Sequence, residues 1–357
     1  MAVGTSDLIA PRRVCPRCFA VYRAGFTRCP VDGTELETLE RDHLLGVMLS
    51  GTYVVEALLG EGAIGRVYRA RHALLSREFA VKVMFGDVAA NEITRQRFVR
   101  EAEAASRLTH DNIVGLVDFG QTKAGLLYIV MDLIDGETLE ALVEREGPLP
   151  EATAARYAAQ LLRALQYAHD SGVIHRDLKP ANIVVERHGA VRVLDFGVAY
   201  VIDPGTEERE RLTKSGCVVG TPLFMAPEQA FGRDVTASSD LYSVGVVLYY
   251  LVAGVTPFDA SAMTLAQLML KDRLPPIAER APDVVVSDHL LGVIDALTAR
   301  DPKDRPASAA EALAMLQGTQ DLMAEEVVVE APRQWPIVLG AIAFVLAGAI
   351  LVFALLS

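Results

Sequence analysis

Between residues 173 and 185 the chain reads VIHRDLKPANIVV. Two apolar runs flank a loop that gathers His175, Arg176, Asp177, Lys179 and Asn182. A solvated turn has no use for an acid, two permanent cations and an amide at this density. Asp177 is a proton acceptor of the right type, Lys179 a cation able to offset charge on a moving group, and Asn182 a neutral oxygen ligand of the kind that a hard cation prefers. Arg176 adds a fixed positive charge beside the acid. The rest of the chain must supply what these groups act on.

Three further stretches do so. Gly60 to Val67 reads GEGAIGRV, a G-x-G-x-x-G-x-V with glycines at Gly60, Gly62 and Gly65. Glycine lets backbone approach a phosphate closely because no Cβ intervenes. A dinucleotide fold uses similar spacing but opens a helix; here the strand-like runs RVYRARH and REFAVKVMF follow, which favours a β-hairpin lid. Lys82 lies within the second run, where it is either an outward-facing edge residue or a cation for two phosphates, itself held by Glu101 or Glu103. Asp195-Phe196-Gly197 stands eighteen residues beyond Asp177. Together these parts suit phosphoryl transfer from ATP, which needs charge neutralisation, in-line positioning and a carboxylate for the hydroxyl proton. Asn182 and Asp195 can hold Mg2+ through oxygen.

The elements that must carry these groups are legible in outline. A strand-rich stretch is expected from about Tyr53 to Phe85, a helix near Glu92 to Leu108, and more strands to Leu133. Pro150 suits the first position of a helix whose Ala154, Ala158, Leu161, Leu162 and Leu165 recur at helical spacing, with Gly172 as the stop. Ile183–Val185 and Val191–Leu194 read as a hairpin turning at His188-Gly189. Asp240 to Val252 reads as a helix capped by Ser238 or Ser239 and closed by Gly254 and Pro257. The order is a small β-rich lobe and then a larger helical one.

The motifs G-x-G-x-x-G-x-V, A-V-K, H-R-D-L-K-P-x-N, D-F-G and A-P-E, in that order, resemble those of the protein kinase family, specifically the bacterial members of its eukaryotic-like Ser/Thr class. The resemblance covers residues 53–317. It implies an α+β, bilobal kinase fold and an ATP- and Mg2+-dependent enzyme acting on protein substrates that carry Ser or Thr. It implies that Lys82 binds phosphate with Glu101 as its helix partner (Glu103 the second choice), that Asp177 is the catalytic base assisted by Lys179, and that Asn182 and Asp195 ligate magnesium. Gly60, Gly62, Gly65, Val67, Ala80, Lys82, Met131, Asp132 and Leu133 are the expected nucleotide contacts; the family more often has Glu where Asp132 stands. Glu228 of A-P-E should pair with Arg305, and Asp240 should brace the backbone at His175 and Arg176. Lys179 and Thr221 match the Ser/Thr branch. Thr213 and Ser215 fall where phosphorylation would give Arg176 a negative partner. The alternative is a pseudokinase acting as a scaffold or binding module.

The ends carry different chemistry. Cys15, Cys18 and Cys29 cluster in CPRCFAVYRAGFTRCPVDG, with Asp32 where a second C-x-x-C would put its last cysteine. A segment this short cannot fold on its own burial; below about 40 residues a metal or disulfide is usually needed, and three thiols leave one unpaired. A zinc-ribbon-like module over residues 1–40, holding Zn2+ through Cys15, Cys18 and Cys29 with Asp32 or a water as fourth ligand, is therefore expected; the alternative is a degenerate, metal-free ribbon. Residues 318–336 form an acidic linker. Residues 337–356, IVLGAIAFVLAGAILVFALL, contain no charge; twenty residues at ~1.5 Å each match the hydrocarbon thickness of a bilayer, so one transmembrane helix is expected. Without a signal peptide, the bulk of the chain is expected in the cytoplasm, tethered to the cell membrane. Ala343 and Ala347 make a small-xxx-small pair that permits self-association. The formal net charge of -12 argues against a nucleic-acid partner.

Overall fold

The computed structural model describes residues 13–22, 26–30, 32–38, 42–62, 65–86, 92–123, 125–196, 222–258 and 273–317. The expected anchor, the linker, Gly197, Thr213, Ser215 and Thr221 lie outside them. Among the described residues no helix is long and apolar enough to cross a membrane.

A six-stranded antiparallel sheet forms the small lobe: β4 (Met48–Leu49), β5 (Tyr53–Glu61), β6 (Gly65–His72), β7 (Glu78–Met84), β9 (Leu127–Asp132) and β8 (Leu116–Gln121), in that spatial order. The β-branched and aromatic content of these segments suits a pleated, half-buried surface. β7 lies between β6 and β9, which is why EFAVKVM is buried along almost its whole length and why Lys82 is an interior residue rather than an edge one. β4 extends the sheet one strand beyond the expected start at Tyr53. Helix α1 (Glu92–Ala105) follows β7 and places Phe98 in the apolar cluster beneath the sheet.

The second lobe is helical. α2 (Leu139–Glu146) starts on Thr138, whose Oγ1 accepts the N–H of Ala141. α3 (Glu151–Asp170) buries Ala154, Ala158, Leu161, Leu162 and Leu165, the stripe that its spacing predicts; Pro150 is the cap, one residue before the expected position. The short strands β10 (Gly136–Thr138), β11 (Ile183–Glu186) and β12 (Val191–Val193) form a three-stranded antiparallel sheet that carries the catalytic loop at one end. α4 (Ala237–Ala253) carries Asp240 in its first turn, is mostly apolar beyond it, and is buried all round from Ser239 onward. It begins slightly earlier than its spacing suggested. Thr236 is the cap, and Ser239 reaches back to accept the Thr236 N–H at 3.3 Å. α5 (Asp288–Leu297) and α6 (Ala309–Leu316) complete the lobe, packed against α4 and α3.

At the N-terminus β1 (Arg13–Val14) pairs with both β2 (Val21–Tyr22) and β3 (Glu37–Thr38) in a small antiparallel sheet. This sheet shares its core with the small lobe. Cys15, Cys18, Tyr22 and Cys29 belong to one buried cluster with Tyr53, Val55, Tyr68, Phe79 and Val81. The sequence reads as a separate module, but its apolar side chains are buried against the lobe.

Candidate active site

The catalytic loop is built on two buried anchors. His175 is fully buried; one ring nitrogen bonds the Leu194 carbonyl at 2.8 Å, the other accepts the Asp177 N–H at 3.2 Å, and the ring meets Phe196 edge-on. Asp240, on the first turn of α4, accepts the backbone N–H groups of His175 and Arg176, both at 2.9 Å, which is the brace expected from sequence. His169 also reaches Asp240, at 2.8 Å, and the Gln229 amide donates to the Arg176 carbonyl. Neither residue was singled out by sequence; an isolated His at a helix end and a Gln after A-P-E carry no signal of their own. Arg176 and Asp195 have φ of +69° and +58°, conformations that non-glycine residues tolerate only where the surroundings over-determine them.

On this frame the chemical groups converge. Lys179 Nζ sits 2.8 Å from Asp177 Oδ2, and Asn182 donates its amide to the Asp177 carbonyl and to Oδ2, at 2.8 and 3.0 Å. The Asp177 side chain is still 39% exposed, open to an incoming hydroxyl. With its nitrogen engaged by Asp177, the Asn182 amide keeps its oxygen for a cation. Lys82 Nζ contacts Asp195 Oδ2 at 2.5 Å. Burial alone would raise the Asp195 carboxyl, but Lys82, helped by His175 and Lys179, holds it below the usual carboxylate range. Asp195 is thus anionic, as a magnesium ligand must be, and Asn182 with Asp195 forms a donor pair that fits that ion.

Glu101 does not take the place expected of it. Its carboxylate pairs with Arg176 at 3.5 Å, while the carboxylate on Lys82 is that of Asp195. Arg176 therefore competes with Lys82 for the helix glutamate. Glu103, the second choice, lies on the exposed side of α1 and makes no ion pair with Lys82 among the described residues.

Of the residues expected to contact nucleotide, Val67, Ala80, Met131 and Leu133 lie in one apolar cluster. Ala80 and Met131 are partners across β7 and β9, both buried, and Val67 and Leu133 pack on the same apolar cluster. The Asp132 carboxylate pairs with Arg77 at 2.6 Å, and its backbone N–H donates to the Gly115 carbonyl at 3.1 Å. The three lid glycines differ. A Cβ on Gly65 would sit 2.3 Å from the Val83 carbonyl, so this glycine is required by strand packing. Among the described residues, nothing lies nearer than 3.8 Å to such a Cβ on Gly60 or Gly62. Packing among the described residues does not demand glycine there, whereas glycine would permit the close approach of a phosphate.

Further down, Arg305 meets Glu228 in a two-pronged pair at 2.7 and 2.9 Å, as expected, and Ser239 adds a bond to Glu228 at 2.6 Å. Burial would raise the Glu228 carboxyl; the bonds from Arg305 and Ser239 outweigh it and hold it below the usual range. The pair ties the end of the activation segment to the helical core.

The N-terminal cluster brings its four expected ligands together. Single ligand atoms of Cys15, Cys18, Cys29 and Asp32 lie within 4.8 Å of one another. Cys18 and Cys29 sulfurs are 3.7 Å apart, and Cys15 Sγ is 3.4 Å from Asp32 Oδ2. Zinc–sulfur bonds of about 2.3 Å put the corners of a tetrahedron about 3.8 Å apart, so the set fits that ion. The Cys18 N–H points to Cys15 Sγ at 3.5 Å, and the Thr34 N–H holds Asp32 at 3.0 Å. That last bond is the main reason the Asp32 carboxyl is lowered to about 2. Burial pushes the Cys15 and Cys18 thiols up, a bias that a bound cation reverses.

Comparison with known proteins agrees with this geometry. A protein kinase domain model matches residues 53–317. The chain is 43% identical over 287 residues to the serine/threonine-protein kinase pkn3 of Myxococcus xanthus, covering 79% of this chain and 52% of that protein. It is 40% identical over 268 residues to the serine/threonine-protein kinase PknB of Mycobacterium leprae, covering 74% and 42%. The chain thus spans about half the length of these relatives. Among solved structures, the PknI kinase domain of Mycobacterium tuberculosis superposes with a TM-score of 0.61 at 30% identity, over 76% of this chain and 96% of that one.

Proposed function

The chain belongs to the protein kinase family, and on that footing we propose that it is a magnesium-dependent serine/threonine protein kinase that phosphorylates protein substrates and its own activation segment. The observation that carries the reading is the Asp177 carboxylate, held by Lys179 and Asn182 but still 39% exposed, with Lys179 also acting electrostatically on the Asp195 that pairs with buried Lys82. Asp177 accepts the proton of a Ser or Thr hydroxyl as its oxygen attacks the γ-phosphorus of ATP. The bond from that phosphorus to the bridging oxygen breaks, and ADP leaves. Lys179 offsets charge on the transferred group, Lys82 holds the nucleotide's phosphates, and Val67, Ala80, Met131 and Leu133 enclose the base. Magnesium, when bound by Asn182 and Asp195, neutralises phosphate charge.

The Glu101–Arg176 contact supports control by phosphorylation: a phosphate on Thr213 or Ser215 would draw Arg176 and release Glu101 to Lys82. A cytoplasmic kinase tethered at the cell membrane through residues 337–356, with zinc at the N-terminal cluster, completes the proposal; crowding in the membrane plane, aided by helix self-association, favours phosphorylation between neighbours.

The test is radiolabelled ATP with full-length chain in mild detergent. Wild type should incorporate label, and Asp177→Asn should lose about 10²–10⁴ in rate. A scaffold without catalysis would show no label in either; equal labelling in both would remove Asp177 as the base.

A further inference from the structure

The N-terminal segment touches the small lobe at two places, one at the cysteine cluster and one just after it. The first is Tyr22. Its ring occupies the space over Gly86, where a Cβ would lie 2.3 Å from the ring's Cζ, and its hydroxyl is 3.0 Å from Cys29 Sγ. Gly86 follows β7, the strand of Lys82, on the way to α1, the helix of Glu101. One side chain thus joins an expected metal ligand to the backbone that links the two. Val14 and Val21 strengthen this contact by packing in one cluster with Met84, Phe85 and the α1 residue Phe98.

The second place is Asp42. Its Oδ2 lies 3.2 Å from Arg66, with both side chains only 12% exposed. Arg66 is next to Gly65 in the lid and also binds Glu61 on the opposite strand of the same hairpin at 2.7 Å. The Asp42–Arg66–Glu61 chain therefore ties the segment after the cysteines to the lid.

A recruiting arm needs its own core and a free apolar face. Here the cysteines and Tyr22 share the lobe's core, and the apolar side chains of β1 and β2 are used against it. We propose that the cysteine cluster, resting on the zinc reading above, is a positioning device for the kinase cleft. A thiophilic divalent cation bound there fixes the start of α1 through Tyr22 and the glycine-rich lid through Asp42, and so raises nucleotide affinity. Tyr22 and Asp42 are positioning residues; neither touches substrate.

Linkage makes the proposal measurable, because coupling between two sites is reciprocal and typically amounts to 5–150-fold. Zinc affinity of the full chain is measured by competition with a chromogenic chelator, with and without saturating magnesium and a non-hydrolysable ATP analogue. Zinc should bind at one per chain, about tenfold tighter with nucleotide present. Asp42→Asn should bind zinc as wild type does in the absence of nucleotide but lose most of that gain, and Asp42→Glu should restore it. A merely structural knuckle would not show this reciprocity. Zinc bound equally well with and without nucleotide overturns the inference and leaves the zinc reading intact. Failure to take up zinc overturns both, while nucleotide binding to the zinc-free chain keeps the kinase reading standing.

Discussion

At the Glu228–Arg305 pair two opposite charges are taken almost wholly out of water. The Arg305 side chain is fully buried and also donates to the carbonyls of Ser238, Ala299 and Arg300. Such a pair adds little over apolar residues of the same shape, but breaking it strands the survivor. Glu228→Gln should destabilise the kinase domain by about 3–5 kcal/mol, read by thermal unfolding. The pH dependence has a definite sign. The folded carboxyl is depressed below its ordinary value of 4.5. Its stabilisation is complete above that value and is lost as pH falls through the depressed one. Wild type should therefore lose more stability than Glu228→Gln between pH 6 and pH 3.5. Equal losses would mean that Glu228 is not ionised in the fold. The same exclusivity applies to two cations, Lys82 and Arg176, and two carboxylates, Asp195 and Glu101: Lys82 pairs with Asp195, and Arg176 with Glu101.

At the level of elements, the lid hairpin β5–β6 separates two uses of glycine that a motif does not distinguish. Gly65→Ala would drive a methyl group into the Val83 carbonyl and force β6 from β7; overpacking of this kind costs about 1–3 kcal/mol. Among the described residues, the Cβ of Gly60→Ala meets no atom within 4 Å. The first variant should lower the unfolding temperature. The second should leave it within experimental error and raise KM for ATP instead. Should both behave alike, the division between packing and ligand approach fails. The helical elements show a simpler rule. α3 buries one stripe and α4 every side after its first turn, in line with their apolar patterns, so burial follows composition wherever a single helix can satisfy it.

For the whole molecule, the kinase body is joined at one end to a cysteine cluster that shares its core and is followed at the other by an apolar tail. The tail can be tested without reference to catalysis. Full-length chain should float with liposomes in a density gradient, and a chain ending at Gln334 should remain at the bottom. Flotation of both would move the membrane contact elsewhere.

Some of this protein was determined by sequence alone. The loop HRDLKPAN holds Asp177, Lys179 and Asn182 within six residues, so their mutual contacts are nearly local and the spacing dictates them. The Asp240 brace and the Glu228–Arg305 pair were legible for a related reason: each sits in a motif whose partner motif is present. Tertiary structure decided the rest. That Glu101 meets Arg176 rather than Lys82 depends on distances between three separate elements, which no spacing encodes. That Val14, Val21 and Tyr22 are buried against the lobe, rather than in a core of their own, depends on which two apolar surfaces meet. Burial belongs to pairs of surfaces, and a sequence shows each surface only singly.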